Sequence, residues 1–312
     1  MHKLKKLLAT LLVFNFVGLQ IISSALAVNI TSITTVQASI TPTLTGFTLS
    51  APSVALGAAA PTITAPTPSI VTGRITYSSN NTGVATIDSV TGVIALVAAG
   101  TTTFTASQPA LLNASGNYLA ASATQNLTVT ATTPTVKTAF ALTPSSVIYD
   151  SNTIPAITPP VTDNTSGAIT YAVTGGTSTT PAVIDPGTGK INSIGSVGTT
   201  IFTATQAANG NYARNTTSTT LTVTAASPNL SGPGLNFKSV KLTGNAPTIT
   251  TPISNSSGEF SYSSSNLKVA TIDPTSGIIS LQGLGTTTIT AIQAPAGNYS
   301  EGSITSDLKV ID

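Results

Sequence analysis

Cysteine and tryptophan are missing from this 312-residue chain, its single histidine is His2, and charged residues make up only 6% of it. Without cysteine there can be no disulfide, thiolate metal site or cysteine nucleophile. With no histidine beyond His2, a Ser-His-Asp triad and a histidine metal site are excluded. Acidic residues are also too sparse to supply the two carboxylates, about 5 to 10 Å apart, that glycoside hydrolysis needs. We therefore predict a protein that is not an enzyme and uses no cofactor.

The first 27 residues have the pattern of a secretory signal peptide. Residues 1–6 form a short basic start, residues 7–22 are mostly apolar, and Ala25-Leu26-Ala27 supplies a small-x-small cleavage site. The apolar run is shorter than the ~20 residues that a membrane-spanning helix needs, which favours a cleaved signal over a retained anchor. We predict a helical signal peptide over residues 1–27, cleaved after Ala27. The mature protein is then secreted or at the cell surface and has no membrane span.

The basic charge of the chain belongs to this targeting segment. Three of its eleven basic residues lie there, which leaves eight basic residues against nine acidic ones. A near-neutral chain has no basic patch to attract phosphates, so nucleic acid is not expected as a partner. It also gives little electrostatic steering toward any other partner.

Three repeats of one unit account for most of the remaining chain. Their best-preserved stretches are ITYSSNNTGVATIDSVTGVIALVAAGTTTFTASQ at 75–108, ITYAVTGGTSTTPAVIDPGTGKINSIGSVGTTIFTATQ at 169–206, and FSYSSSNLKVATIDPTSGIISLQGLGTTTITAIQ at 260–293. Each repeat keeps a tyrosine, an aspartate, a glycine and a glutamine in the same order, and then a Gly-Asn-Tyr triplet. A period of roughly 90 residues is too long for a solenoid and is typical of independent domains on a string.

Short proline-containing stretches at 131–134 and 225–228 separate the repeats. Links this short that contain proline are expected to be fairly stiff. The predicted organisation is a leader or linker at 28–40 followed by repeats at 41–132, 133–226 and 227–312. We expect these three domains to form an elongated array.

Alternating residue types predict that each repeat is a β-sandwich. Short runs of Val, Ile, Thr, Phe and Tyr are broken by Gly, Pro, Asn and Ser. Thr102, Phe104 and Ala106 fall on one face of a predicted strand, and the threonines between them fall on the other. One apolar face per strand, over six to eight short strands, is typical of two packed antiparallel sheets. The fold class is therefore all-β, with three tandem β-sandwiches.

The first repeat contains the motifs SSN at 78–80, VATID at 84–88, Gly92 and GTTT at 100–103, and the third repeat matches them. These motifs resemble those of the group 2 bacterial immunoglobulin-like domain, of the intimin and invasin type, which implies that the three sandwiches are immunoglobulin-like. The resemblance covers roughly residues 41–312. The second repeat departs from it in lacking Ser-Ser-Asn and in a longer loop near Gly175, and the first has an insertion near Leu111. The resemblance places a buried core residue, usually tryptophan, where this chain has Tyr77, Tyr171 and Tyr262.

The resemblance implies a non-enzymatic role at the cell surface or outside the cell, as a spacer or adhesin. A second hypothesis is a module that binds polysaccharide or a host ligand through its loops, near Gly175 and Leu111. Cell-surface polysaccharide or protein is the expected partner in either case. A third hypothesis, a phage or virion decoration protein, is disfavoured by the signal peptide.

The recurrent aspartates are the only metal-ligand candidates. They are Asp88, Asp185 and Asp273. A lone carboxylate is a poor start for a calcium site, which needs six to eight oxygen ligands. The pattern Ile-Asp-x-x-Thr/Ser-Gly is more typical of a turn in which the aspartate accepts bonds from nearby backbone N–H groups. We therefore predict turns and no metal.

The triplet tyrosines are the candidate ligand contacts. They are Tyr118, Tyr212 and Tyr299. One hypothesis makes them exposed platforms on which sugars stack. The favoured one has them pack near the start of a late strand, with the hydroxyl bonded to the backbone as in a tyrosine corner.

Overall fold

The computed structural model describes residues 38–113, 116–232 and 239–312, and every regular element in these ranges is a β-strand. The predicted signal peptide, its cleavage site at Ala27 and leader residues 28–37 lie outside the described residues. No helix in the described part of the chain is long and apolar enough to span a bilayer.

The strands fall into three successive groups. The first is β1 (Ser39–Ile40), β2 (Leu44–Thr45), β3 (Thr48–Leu49), β4 (Ser53–Ala55), β5 (Ile63–Thr64), β6 (Thr67–Pro68), β7 (Thr76–Ser79), β8 (Ala85–Ile87), β9 (Ile94–Leu96), β10 (Gly100–Gln108), β11 (Leu111–Asn113), β12 (Gly116–Tyr118) and β13 (Ala121–Thr130). The second is β14 (Val136–Thr138), β15 (Ala141–Thr143), β16 (Ser146–Ile148), β17 (Ala156–Thr158), β18 (Val161–Thr162), β19 (Ile169–Gly176), β20 (Val183–Ile184), β21 (Ile191–Ser193), β22 (Gly198–Gln206) and β23 (Asn215–Thr224). The third is β24 (Ser239–Lys241), β25 (Phe260–Ser264), β26 (Ala270–Ile272), β27 (Ile279–Leu281), β28 (Gly285–Gln293) and β29 (Gly302–Ile311).

The chain divides into two compact units, of which the smaller takes its described residues from 38–47, 65–76 and 106–123. In this unit β1 pairs in parallel with β12, which pairs antiparallel with β11, while β2 pairs antiparallel with β6. The buried amide of Gln108 donates from Nε2 to the carbonyl oxygen of Ile70 over 3.1 Å. Phe47 is a second large buried side chain of this unit.

The larger unit comprises residues 48–64, 77–105 and 124–312. The sheet order β16-β23-β22-β19 of the second repeat is matched by β24-β29-β28-β25 in the third, and by β4-β13-β10-β7 in the first. In each of these sheets the strand named first runs parallel to its neighbour, which is the last strand of the repeat. The other pairings within the sheets of the second and third repeats are antiparallel. Every ladder between these strands therefore closes within one repeat.

The four-stranded sheet of the second repeat packs on two smaller strand pairs, β15-β17 and β20-β21. Their contact is a core that runs from Phe140 to Val223, with Phe202 and Leu221 at its fully buried centre. The third repeat has a corresponding core around Ile289 and Leu308. The predicted all-β fold of immunoglobulin-like sandwiches is thus confirmed, while the predicted domain boundaries stay predictions.

The predicted alternation of faces is confirmed on the long strand of each repeat. Thr102, Phe104 and Ala106 are buried, whereas the intervening threonines are exposed or half-buried. The same phase holds on β22 and β28. On the outward face of β22, Thr203 is joined to Ser218 of the neighbouring strand by a hydroxyl hydrogen bond of 2.8 Å. Outward threonine keeps a high strand propensity while presenting a hydroxyl to water, which suits a chain with few charges.

The Ser-Ser-Asn motif ties the edge of the sheet to the buried threonine of the long strand. In the third repeat, Ser264 shares a 2.7 Å hydrogen bond with Thr287 and donates to the carbonyl oxygen of Ala270 over 2.7 Å. The second repeat lacks this motif, and a different pair of serines anchors its predicted longer loop. Its Ser178 hydroxyl bonds Ser196 over 2.8 Å. Part of that loop is strand, because β19 continues to Gly176 through a bulge.

Candidate interaction surfaces

The recurrent aspartates each organise a tight turn. Oδ1 of Asp185 accepts the backbone N–H of Gly187 over 3.1 Å, and both the N–H and the hydroxyl of Thr188 over 2.7 Å. Asp88 and Asp273 accept the matching three bonds in their own turns. One carboxylate oxygen thus satisfies three local donors, which is the turn that the sequence pattern predicts. No cluster of three or more metal-ligating side chains occurs within residues 38–113, 116–232 and 239–312.

These bonds favour the charged form of the carboxylate. The hydroxyl and N–H of Thr188 hold the pKa of Asp185 below its usual value, and the N–H and hydroxyl of Ser276 do the same for the pKa of Asp273. A carboxyl whose pKa is lower in the folded chain stabilises the fold above its unfolded pKa, about 3.9. That stabilisation is lost as the pH falls through the folded pKa. We therefore expect the turns to make the second and third repeats sensitive to acid.

We expect the unfolding temperature of these repeats to fall as the pH is lowered below about 4. The effect should be modest, because both carboxylates are exposed to solvent. In Asp185→Asn the second repeat should lose part of this dependence and the third should keep it. Calorimetry of the full chain between pH 7 and pH 2 measures both. An Asp185→Asn variant with the acid dependence of the parent would contradict a contribution from the turn.

The mid-strand tyrosines belong to the core. Tyr77, Tyr171 and Tyr262 are all buried, as their position in the repeat predicts. Burial raises the pKa of the Tyr171 hydroxyl, because the phenolate would lose solvation. Gly277 passes close to the ring of Tyr262, and a Cβ atom at this position would lie 3.3 Å from the ring carbon Cε2. The glycine of the aspartate turn therefore lets the turn lie against the core tyrosine.

The triplet tyrosines lie at the ends of the repeats. Tyr299 is half-buried, and its ring meets the ring of Tyr149 edge-on, with 5.7 Å between the ring centroids. Its hydroxyl donates to Oδ2 of Asp150 over 3.4 Å and accepts from Nδ2 of Asn255 over 3.1 Å. The pKa of Tyr299 is raised by loss of solvent and by the negative charge of Asp150. The prediction of a tyrosine corner is therefore wrong for Tyr299. Its hydroxyl bonds side chains of two successive repeats, whereas a tyrosine corner bonds the main chain.

The corresponding tyrosines occupy similar settings. Tyr212 forms a parallel bridge with Thr132, and Tyr299 forms one with Ala226, so each contacts the segment that joins its repeat to the preceding one. Tyr118 lies in β12, whose partner in the same sheet is β1, with Ile40 opposite Tyr118. All three rings are half-buried, so part of each ring remains in contact with solvent. Sequence reasoning considered only the tyrosine of the triplet and passed over its asparagine.

The two loops singled out for binding have regular structure. Leu111 begins β11, which pairs with β12 as a hairpin, and Gly175 lies in β19 opposite Ile201. Leu112 is the most exposed large apolar side chain of the hairpin, at 79%. Both segments are thus paired in β-sheets, and neither has a counterpart in the other repeats.

A shallow groove recurs at the same place in all three repeats. It lies between a proline-containing segment and the turn that follows the recurrent aspartate, and measures about 230, 210 and 360 Å³ in the three repeats. Residues 60–63, 154–157 and 246–249 form one wall, and residues 91–94, 188–191 and 276–279 form the other. The repeated segment APTI, or IPAI in the second repeat, is the sequence signal for this groove.

Comparison with known families agrees with the architecture. Residues 253–295 match the family described as the intimin immunoglobulin-like domain. This match lies within the third repeat and includes β25 to β28. The other two repeats share its motifs and sheet order, so all three are immunoglobulin-like sandwiches of one type. No curated protein matches the chain.

Solved structures with similar folds include cadherin arrays. Drosophila N-cadherin EC1-4 is 14% identical, with a TM-score of 0.29, and the match covers 87% of this chain and 75% of that one. Human CDH23 EC21-23 is 16% identical, with a TM-score of 0.30 and coverage of 87% and 98%. Mouse protocadherin-24 EC1-3 is 13% identical, with a TM-score of 0.23 and coverage of 85% and 98%. Likenesses at this level say nothing of ligand or function.

Proposed function

We propose that this protein is an exported, non-enzymatic structural array of the adhesin class, which acts as a spacer at the cell surface or outside the cell. The observation that carries the proposal is that, in the four-stranded sheet of every repeat, the first strand along the chain pairs in parallel with the last. The signal pattern at residues 1–27 and the likeness of the third repeat to an intimin domain support an extracellular location. The chemistry of the chain, without cysteine and with one histidine, supports a role that needs no catalysis.

The parallel pairing determines how each four-stranded sheet would resist tension along the chain. The chain enters this sheet of a repeat through one strand and leaves it through the parallel neighbour, so pulling on the ends slides the two strands lengthwise past each other. Sliding loads all hydrogen bonds of the ladder at once, whereas peeling would load them one at a time. In the first repeat, Leu56 donates its N–H to the carbonyl oxygen of Thr130 over 2.9 Å, and Thr128 donates to that of Pro52 over 2.9 Å. A spacer under tension needs such resistance.

Stretching single molecules of the full chain should give three separate unfolding events, and Leu56→Pro should lower the force of one of them severalfold. Proline has no N–H, so the bond to Thr130 is lost. Ala55→Pro is the matched control. Because β4 is the outer strand of its sheet, and bonding alternates along an edge strand, the N–H of Ala55 faces away from β13. An unchanged force in Leu56→Pro, or the same loss in both variants, would overturn the shear mechanism.

The recurring groove favours a second candidate, a module that binds polysaccharide or a host ligand at several equivalent positions. Co-sedimentation of residues 28–312 with producer cells, host cells and insoluble polysaccharides separates the two. Saturable binding that is lost on substitution of exposed Ile278, at the rim of the third groove, supports the module. Absence of binding to all of them leaves the spacer role alone.

A further inference from the structure

The asparagine of each Gly-Asn-Tyr triplet makes hydrogen bonds to residues far away in the chain. At the junction of the second and third repeats, Oδ1 of Asn298 accepts the backbone N–H of Val197 over 2.9 Å. The carbonyl oxygen of Asn298 accepts the N–H of Ala226 over 3.1 Å, and the N–H of Ser300 donates back to the carbonyl oxygen of Ala226 over 2.8 Å. One residue of the third repeat therefore bonds both the linker and the body of the second repeat.

The same set of bonds is present at the preceding junction. Oδ1 of Asn211 accepts the N–H of Ala99 over 2.9 Å. The carbonyl oxygen of Asn211 accepts the N–H of Thr132 over 2.9 Å, and the N–H of Ala213 donates to the carbonyl oxygen of Thr132 over 2.7 Å. The two junctions thus share the same three hydrogen bonds although their linker residues differ. A chance contact would not be repeated in this way.

A tight turn holds the asparagine in position. Ala296 and Tyr299 exchange backbone hydrogen bonds of 3.2 and 3.0 Å, which leaves Gly297 and Asn298 as the two central residues. Gly297 has a φ of +56°, as the first central position of a type II′ turn requires. The matching glycine of the second repeat, Gly210, has a φ of +53°. The turn therefore requires the glycine of the triplet, and it positions the asparagine side chain for its hydrogen bond to the preceding repeat.

The partner group is a backbone amide just before the long strand of the preceding repeat. Val197 precedes β22, and Ala99 precedes β10. Recognition of a main-chain N–H does not depend on the side chain at that position, so valine and alanine serve equally well. The neutral amide side chain of asparagine also needs no counter-ion or metal at the junction.

We propose that Gly-Asn-Tyr is an inter-repeat clasp, in which the asparagine fixes its own repeat to the linker and to the body of the repeat before it. The interaction surface is the turn at the start of the last strand, and the partner that it fits is the loop before the long strand of any preceding repeat. The clasp lies between repeats, whereas the ladder loaded by tension lies within one repeat. A negative result for one of them therefore leaves the other standing.

The first measurement is amide hydrogen exchange at Val197 in the full chain. Asn298→Ala should speed this exchange by about tenfold or more, because the hydrogen bond that protects it is gone. Asn298→Asp keeps an acceptor oxygen and should retain the protection. An effect at a residue about a hundred positions earlier would not arise from a purely local role of the turn. Unchanged exchange at Val197 in Asn298→Ala, with the chain still folded, would overturn the clasp.

The second measurement is the distance between spin labels on the two repeats. The chain has no cysteine, so Thr220→Cys and Thr305→Cys, both at exposed strand positions, take labels selectively. Asn298→Ala should broaden the distance distribution to about twice its width or more, as expected when a local restraint is lost. Asn117→Ala is the matched control, since that triplet asparagine donates to Ser39, just before the first repeat, over 2.8 Å and takes no part in the junction of the second and third repeats. Equal widths in all variants would show that the asparagine does not fix the junction.

Discussion

Replacing Phe202 with alanine is expected to destabilise the second repeat by about 3–5 kcal/mol. The side chain is fully buried at the centre of its core, so the change removes buried apolar surface and leaves a cavity. A domain of this size is stable by only about 5–15 kcal/mol, so the variant repeat would be close to unfolding at ambient temperature. This is the largest effect that we expect from a single substitution.

Calorimetry of the full chain locates the effect. Because the cores of the second and third repeats are built from different residues, only the transition of the second repeat should move. Phe104→Ala should shift the first repeat by a similar amount, and Thr220→Ala, at an exposed strand position, should shift nothing measurable. If all transitions moved together in Phe202→Ala, the repeats would have to fold as one cooperative block.

The second large effect is expected for Gln206→Leu, at about 2–4 kcal/mol. This buried amide accepts the hydroxyl of Thr162 over 2.6 Å and donates to the carbonyl oxygens of Asn164 over 2.6 Å and Gly167 over 3.3 Å. Leucine has similar volume but no polar atom, so it leaves these groups unpaired in a buried setting. Denaturant unfolding of the full chain measures the loss.

The matched control is the equivalent glutamine of the first repeat. Gln108 makes one bond, to Ile70, and its Oε1 has no hydrogen-bond partner in the described ranges. Gln108→Leu removes one hydrogen bond, but it also removes a buried acceptor that has no partner. We therefore expect it to lower the free energy of unfolding by less than about 1 kcal/mol. Equal losses in Gln108→Leu and Gln206→Leu would show that packing, and not hydrogen bonding, sets the value of this position.

The strands and core could be predicted because their signals are local and periodic. Alternation by twos around Phe104 reports which face is buried without any knowledge of the partner strand. The aspartate turn is equally local, because the side chain of Asp185 bonds residues only two and three positions ahead of it. Repetition then confirmed each pattern, since the same residue types recur at matching positions of the other repeats.

The junctions could not be predicted, because their partners are distant and only partly repeated. Tyr299 meets Tyr149 and Asp150, about 150 positions earlier, and the first and third repeats have Leu56 and Leu242 where the second has Tyr149. A side chain that occurs in one repeat alone carries no periodic signal. The asparagine of the triplet was visible as a repeated residue, yet its partner is a backbone N–H, which leaves no trace in the identity of Val197.

The closure of each four-stranded sheet within one repeat has a consequence for how such a gene can change. Unequal recombination between the similar coding segments would remove or duplicate whole units of about 90 residues. No four-stranded sheet would lose a strand in this process, because the first and last of its strands along the chain belong to the same repeat and pair with each other. The reach of the array could then be tuned by copy number, while every copy keeps the packing that it has now.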